Sequence, residues 1–505
     1  MPDKQKVILF LPKPRRHTFS SAIPIALLRL ASMLDRSKYE PKIITATPKY
    51  DYEQKIVEES KNALCLAVGV LTGHDIEEAI RVIKKVRKAN PKLPIIWGGW
   101  HASIFPQQTL ESKHADIVVK AQGERTFKEL VEALDKKKPL EKVLGISFKK
   151  GGKIVHNKPR PFEDINNFPD LPYDLVDVEE YVDNFDGLRA MFYVTSQGCP
   201  FSCKYCAEPM VFKQHWSVLS NDRILKDWKF FAEKHNIEFI IIGDDNFFVG
   251  EARVKDFCKK LIEMRLPLKW GRVSGRVRQM LAFSDETWQL IKDSGLTDIQ
   301  IGAESGLQEV LDFVNKQMTV DEVVQFIEKT RQFGIKATPA LILGLPTDKF
   351  RGLSQKEVGR ELDRQWNAMF DLLDRCYSKR RDYDEIRLFA YDPYPGNPLY
   401  DLSCELGFKP PKDLEGWSVI RPAPWIQDKL RERIKMLQYF LFPYARDGYQ
   451  DRHIKKFKLL QKFFHKSAQW RWKHRFFALP LEYKMYRAYT GIRTMITGKS
   501  ATEHQ

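Results

Sequence analysis

The chain has 505 residues, 43% of them hydrophobic and 30% charged, with a formal net charge of +17. This composition excludes a disordered chain and leaves room for two or three domains. No apolar run reaches about 18 residues, which argues against a spanning helix, and the short N-terminal apolar stretch, broken by Pro12 and Pro14, is too brief for a secretion signal, so a cytoplasmic location is expected.

Residues 7–11 read as a buried strand, 23–34 as a helix by apolar spacing, and 42–45 as a second strand. The run ALCLAVGV at 63–70 is the pattern of a strand buried on both faces. A helix is expected over 75–89 with Asp75 as its N-cap, followed by strands at 93–97 and 116–120. Five short apolar strands with helices between them predict an α/β, flavodoxin-like doubly wound (Rossmann-like) domain over residues 1–145. Ligands of such sheets sit beyond the carboxyl ends of the strands. The Pro-rich, acidic run at 159–174 belongs to a linker assigned to 146–188, and a wrapped surface loop explains it equally well.

From 189 to 400 strand and helix patterns alternate, with strands at 191–195, 238–242, 268–273, 298–301, 337–343 and 385–390. Helices are expected at 222–234, 252–264, 285–294 and 320–333. Six consecutive units predict a partial, TIM-like (β/α)6 barrel with its chemistry at the carboxyl ends of the strands. Residues 401–505 read as a mostly helical, basic C-terminal region.

Seven cysteines, an odd number without paired spacing, argue against a disulfide framework. Cys65, Cys258, Cys376 and Cys404 stand alone and read as small buried side chains. Cys199, Cys203 and Cys206 are different. They form C-x3-C-x2-C within TSQGCPFSCKYCAEP, directly after the expected first barrel strand. Thiolates are the preferred ligands of iron–sulfur clusters and zinc. Three ligands leave one iron of a [4Fe–4S] cluster open for a substrate, whereas a closed zinc site needs a fourth, for which His215 is the candidate.

This motif, with Tyr205 between its last two cysteines, resembles that of the radical S-adenosylmethionine (radical SAM) superfamily, and the likeness covers about residues 191–390. The resemblance implies that the open iron binds the amino and carboxylate groups of S-adenosylmethionine. One electron then cleaves the sulfonium to methionine and a 5′-deoxyadenosyl radical, which abstracts a hydrogen atom from an unactivated carbon. It also makes Tyr205 and several strand-end residues candidates for cofactor contact. Asp244, with Asp245 beside it, stands where the family often has Gly-Gly-Glu meeting the methionine amino group, although a cap or turn accounts for it equally. Ser274 and Arg276 follow the third strand, where a guanidinium would pair with the methionine carboxylate, an ordinary surface arginine being the competing reading. Glu304 ends the fourth strand, and Leu343-Gly344-Leu345-Pro346 resembles the glycine-rich stretch that approaches the adenine, with a plain turn as the competing reading.

A doubly wound domain ahead of such a barrel resembles the cobalamin-binding subclass. Thr72 and Gly73 after the third strand, Gly98, Gly99 and His101 after the fourth, and Gly123 and Glu124 after the fifth would then form the cofactor's rim. The Asp-x-His-x-x-Gly run whose histidine ligates cobalt in many cobalamin domains is absent. Cobalamin is therefore expected to bind without a protein histidine, or to have been lost, and His101 is placed at the corrin periphery, with a structural role as the competing reading.

The tail at 455–477 interleaves basic with apolar residues. It can pack on the barrel or lie flat on an anionic membrane surface; nucleic-acid binding is the weaker reading. The resemblance implies an enzyme with a [4Fe–4S] cluster, S-adenosylmethionine and cobalamin, an external electron donor, and a small-molecule or lipid substrate methylated at an unactivated carbon. The domain order also resembles the anaerobic magnesium-protoporphyrin ester cyclases, which implies oxidation, cyclisation or rearrangement of a porphyrin-like or lipid substrate as the alternative. A non-enzymatic cobalamin or cluster sensor is a second alternative, disfavoured because a sensor needs no open iron.

Overall fold

The computed structural model describes residues 4–12, 22–47, 49–377, 380–383, 385–449 and 457–497, with side chains up to 490. Lys455 and Lys456, which begin the expected basic segment, lie outside the described residues. The chain forms two compact units: Met1–Asp245 with Tyr394–Cys404 and Lys409–Arg421, and Asn246–Pro393 with Glu405–Phe408 and Pro422–Gln505.

The first unit opens with the strands β1 (Gln5–Leu11), β2 (Tyr39–Thr45), β3 (Ala63–Gly69), β4 (Ile95–Gly98) and β5 (Ile117–Val119), all mutually parallel. The hairpin β6 (Ile146–Lys150) and β7 (Lys153–His156) extends this sheet antiparallel, giving the order β2-β1-β3-β4-β5-β6-β7. Alternate residues of β1 explain the two covered faces. Ile8 and Phe10 pack with Ile56, Ile76, Ile80 and Ile83 from the helices Tyr52–Ser60 and His74–Ala89. Val7 and Leu9 pack with Leu27, Phe127 and Leu130 from the helices Ile25–Ser32 and Glu124–Asp135. The first of these cores also takes in Leu414 and Trp417 from far down the chain.

The expected Asp75 cap is corrected. Gly73 precedes the helix at φ +125° and supplies no side chain, while the Asp75 carboxylate accepts the Leu71 N–H at 3.2 Å. The acidic run at 159–174 is tied down rather than loose: Arg125 pairs with Glu163 at 3.0 Å, and Asp164 accepts from Ser217 Oγ at 3.2 Å.

The unit continues with β8 (Val182–Phe185), β9 (Leu188–Tyr193), the short pair β10 (Ser196–Gln197) and β11 (Ser217–Val218), and β12 (Phe239–Ile242). β9 is parallel to β12, and β10 pairs antiparallel with β11, so the loop between them is closed at its base.

The second unit contains β13 (Lys269–Gly271), β14 (Val273–Gly275), β15 (Asp298–Glu304), β16 (Lys336–Leu343) and β17 (Arg387–Ala390). The last four form one parallel sheet in chain order. The single strand expected at 268–273 is broken into β13 and β14 by Arg272 at φ +54°. Helices Glu251–Glu263, Asp285–Asp293, Val320–Gln332 and Gln355–Tyr377 alternate with these strands. No closed barrel is formed among the described strands. The region after Tyr400 is helical, ending in Lys458–His474 and Leu481–Thr497.

Candidate functional site

The cysteine loop leaves β10 and returns through β11. Gly198 stands at φ +80°, and a Cβ there would lie 1.9 Å from the His215 carbonyl oxygen, so only glycine lets the chain cross itself at the loop's entrance. Cys203 is buried, Cys199 and Cys206 are half-buried, and Cys206 N–H donates to the Cys203 carbonyl at 3.1 Å. Burial pushes the Cys206 thiol up to about 12, and the charge of Asp245 adds to this. Among the described residues, no three His, Cys, Asp or Glu side chains stand as a metal-holding group. His215 stacks on Phe162 with ring centroids 5.0 Å apart. Three thiols on one loop, closed at its base by a strand pair, still match an iron–sulfur cluster in donor chemistry.

What holds this loop was only partly foreseen. Asp244 is buried and accepts from Thr195 N–H at 2.6 Å, Ser196 N–H at 3.3 Å and Ser196 Oγ at 2.7 Å, with Thr195 Oγ1 also donating. It anchors the start of the cysteine loop, while the charge of its neighbour Asp245 acts on Cys206. Asp245 faces Glu208; burial raises both carboxyl groups above their usual range, with the charges of Asp244 on Asp245 and of Asp245 on Glu208 adding to it. On the other side, Asn397 Nδ2 donates to the Tyr205 carbonyl at 3.0 Å and to the Tyr394 carbonyl at 3.0 Å. Asn397 Oδ1 accepts the Tyr400 N–H at 2.9 Å. A buried asparagine almost two hundred residues downstream thus fixes the backbone of Tyr205.

The expected cobalamin rim lies at the carboxyl ends of β3, β4 and β5. Gly99 has φ +89°, and a Cβ there would sit 2.5 Å from the Val70 carbonyl oxygen. His101 is fully buried, with Nδ1 3.1 Å from Thr72 Oγ1 and its ring against Phe105 and Trp417 at centroid distances of 5.8 and 5.9 Å. Among the described residues its Nε2 has no hydrogen-bond partner, and burial lowers its pKa to about 4, so the imidazole is neutral. Gly73 faces Ile420. An orphaned, neutral imidazole nitrogen beside two glycine turns suits a buried cofactor edge. Gly123 begins the helix that carries Glu124, and Glu124 accepts Gln197 Nε2 at 2.6 Å while Gln122 Nε2 donates to Gln197 Oε1 at 3.0 Å. The loop after β5 therefore grips the residue two before Cys199.

In the second unit, Glu304 ends β15 at φ +56° after a register shift and pairs with Lys316 Nζ at 2.6 Å, both side chains being largely buried. Gly302 makes the room: a Cβ there would lie 1.9 Å from Glu304 Oε1. Arg276 donates to the Lys316 carbonyl, and the Ser274 carbonyl accepts the Phe247 N–H at 3.1 Å. Gly344 N–H is taken by Gln365 Oε1 at 2.9 Å and its carbonyl by Trp425 Nε1 at 2.8 Å. That backbone is internally satisfied, which favours the plain-turn reading of Leu343–Pro346.

Comparison with known proteins decides the family. Residues 193–353 match the Radical SAM superfamily and residues 17–131 the B12 binding domain. The chain is a radical SAM enzyme with a B12-binding domain. Its cofactors are those of that combination: a [4Fe–4S] cluster, S-adenosylmethionine and cobalamin. An uncharacterized methyltransferase of Pyrococcus horikoshii is 26% identical over 439 residues, covering 86% of this chain and 90% of the relative. The anaerobic magnesium-protoporphyrin IX monomethyl ester cyclase of Rubrivivax gelatinosus is 25% identical over 69% of this chain and 59% of its own length. The structure of the radical S-adenosylmethionine methyltransferase TsrM from Kitasatospora setae, with cobalamin and a [4Fe–4S] cluster bound, shares the fold. Its TM-score is 0.64 at 15% identity, over 89% of this chain and 90% of that one.

Proposed function

We propose that this radical SAM enzyme methylates an unactivated carbon of a small-molecule or lipid substrate, drawing electrons from an external donor. The observation that carries the reading is the cysteine loop itself, gripped on one side by Asp244 and on the other by the Glu124–Gln197 contact from the B12-binding domain. In this reading Cys199, Cys203 and Cys206 hold the cluster, and Thr72, Gly73, Gly98, Gly99, His101, Gly123 and Glu124 line the cobalamin side. Tyr205, Ser274, Arg276 and Glu304 serve the S-adenosylmethionine side. The bound groups supply one-electron cleavage of a sulfonium and a methyl carrier. The chain's own residues orient them: Asp244 and Asn397 hold the two arms of the cysteine loop, and the neutral His101 is braced by Thr72.

The relative named as a methyltransferase matches along nearly its whole length, which favours methylation. The match to the magnesium-protoporphyrin cyclase spans just over half of that protein and supports the second reading, cobalamin-assisted oxidation or cyclisation of a porphyrin-like substrate. We further place peripheral membrane contact on the basic C-terminal helices.

Anaerobically reconstituted protein with reductant and S-adenosylmethionine is expected to form 5′-deoxyadenosine and to contain both iron and cobalt. Methyl-deuterated S-adenosylmethionine should pass its label to the product. Cys203→Ala should abolish cluster absorption while the N-terminal domain still takes up cobalamin. A preparation that takes up zinc instead, with no 5′-deoxyadenosine, overturns the reading.

A further inference from the structure

The C-terminal helix Lys458–His474 has two apolar faces, and among the described residues only one of them is packed inside the protein. Phe464, Ala468 and Trp472 are buried against Phe440, Phe442 and Phe370, with ring centroids at 5.3, 5.2 and 6.1 Å for the pairs Phe440–Phe464, Phe442–Trp472 and Phe370–Trp472. Leu459, Phe463 and Trp470 point the other way and are 85%, 50% and 51% exposed. At about 100° per residue these three fall within an arc of roughly 40°, on the side opposite Phe464 and Ala468. An apolar stripe of this kind on a monomeric surface needs a partner.

The stripe continues past the helix. Phe476 sits 5.8 Å from Trp470, ring to ring, and is exposed, as are Leu479 in the turn and Leu481 at the start of the next helix. Beside it runs a second stripe made by exposed Lys458, Lys462, Lys466 and Lys473. No acidic residue lies anywhere in Lys458–His474. The nearby Glu482 is spent internally, pairing with the buried Arg471 at 2.6 Å. The surface therefore presents aromatic and aliphatic side chains, with ammonium groups along one edge that pair with no acidic side chain among the described residues.

We infer that this face, formed by Leu459, Phe463, Trp470, Phe476, Leu479 and Leu481 with its lysine edge, docks on an anionic lipid bilayer. Charge complementarity selects that occupant. The apolar stripe enters the headgroup boundary while the lysines meet lipid phosphate and carboxylate groups, and tryptophan favours that depth. No helix among the described residues is long and apolar enough to cross a membrane, so the contact is in-plane. The inference rests on the surface contact proposed above and not on methyl transfer.

The test is co-sedimentation of the full chain with vesicles of phosphatidylcholine, with and without about 30 mole percent phosphatidylglycerol. Binding to the anionic vesicles is expected, weakened by salt and falling at least tenfold in the L459S/F463S/W470S variant, all three positions being exposed. Cobalamin absorption and far-ultraviolet dichroism of the variant report that it is folded. K462E/K466E is expected to lose the preference for anionic vesicles. Equal binding to both vesicle types, or binding unchanged in the triple variant, overturns the inference. So does a stripe-dependent dimer in analytical ultracentrifugation or stripe-dependent DNA binding, if either occurs without vesicle binding. None of these readouts requires S-adenosylmethionine cleavage, so a failure here leaves the catalytic reading standing, and the reverse.

Discussion

Asn397 illustrates how much of the site is carried by residues that do no chemistry. It is buried and spends its whole amide on the carbonyls of Tyr205 and Tyr394 and the N–H of Tyr400. Asn397→Ala leaves those groups unpaired, at a cost of about 1–3 kcal/mol. The expected result is normal cobalamin uptake with a cluster that assembles incompletely, read as iron per protein. His101 gives a pH prediction. Its folded-state pKa is depressed to about 4, while the unfolded value is near 6.5. Stability is thus fully present above about pH 6.5 and is lost as pH falls from there toward 4, by about 3 kcal/mol. A melting-temperature series should show this acid slope in the native protein and a shallower one in His101→Gln. At this scale the sequence was informative where spacing carries meaning: three cysteines at C-x3-C-x2-C announce themselves, and two glycines after a strand mark a close approach. Gln197 and Lys316 carry no local signal, because their roles arise only when distant segments meet.

Among the elements, β15 shows a bulge put to use. Its register shift turns Glu304 into a left-handed conformation and onto Lys316. Lys316→Met strands a buried carboxylate and should destabilise by about 3–5 kcal/mol, seen as an earlier denaturant midpoint. Adding Glu304→Gln should recover most of that loss. Most strands and helices were legible from apolar runs and 3.6-residue spacing. The hairpin β6–β7 was overlooked although Gly151-Gly152 between two apolar runs signals it. The split of β13 from β14 had no such signal, since Arg272 adopts its positive φ under tertiary constraint. The helix Lys458–His474 was visible as basic and aromatic. That its apolar residues divide into an inner and an outer face was not, because both sets repeat at helical spacing.

On the scale of the whole molecule, the order of parts along the chain differs from the order in which they are packed. Residues 409–421 belong to the first unit, and Leu414 and Trp417 fill the core under the sheet that begins at Gln5. Trp417 Nε1 donates to Gln108 Oε1 at 2.7 Å across 309 positions. A ribosome makes the amino end first. While the middle of the chain is being translated, the helix His74–Ala89 and the ring of His101 face water where Trp417 will later lie. The B12-binding domain is therefore made before the segment that completes its core, and that core closes only when Trp417, 309 positions after Gln108, has emerged.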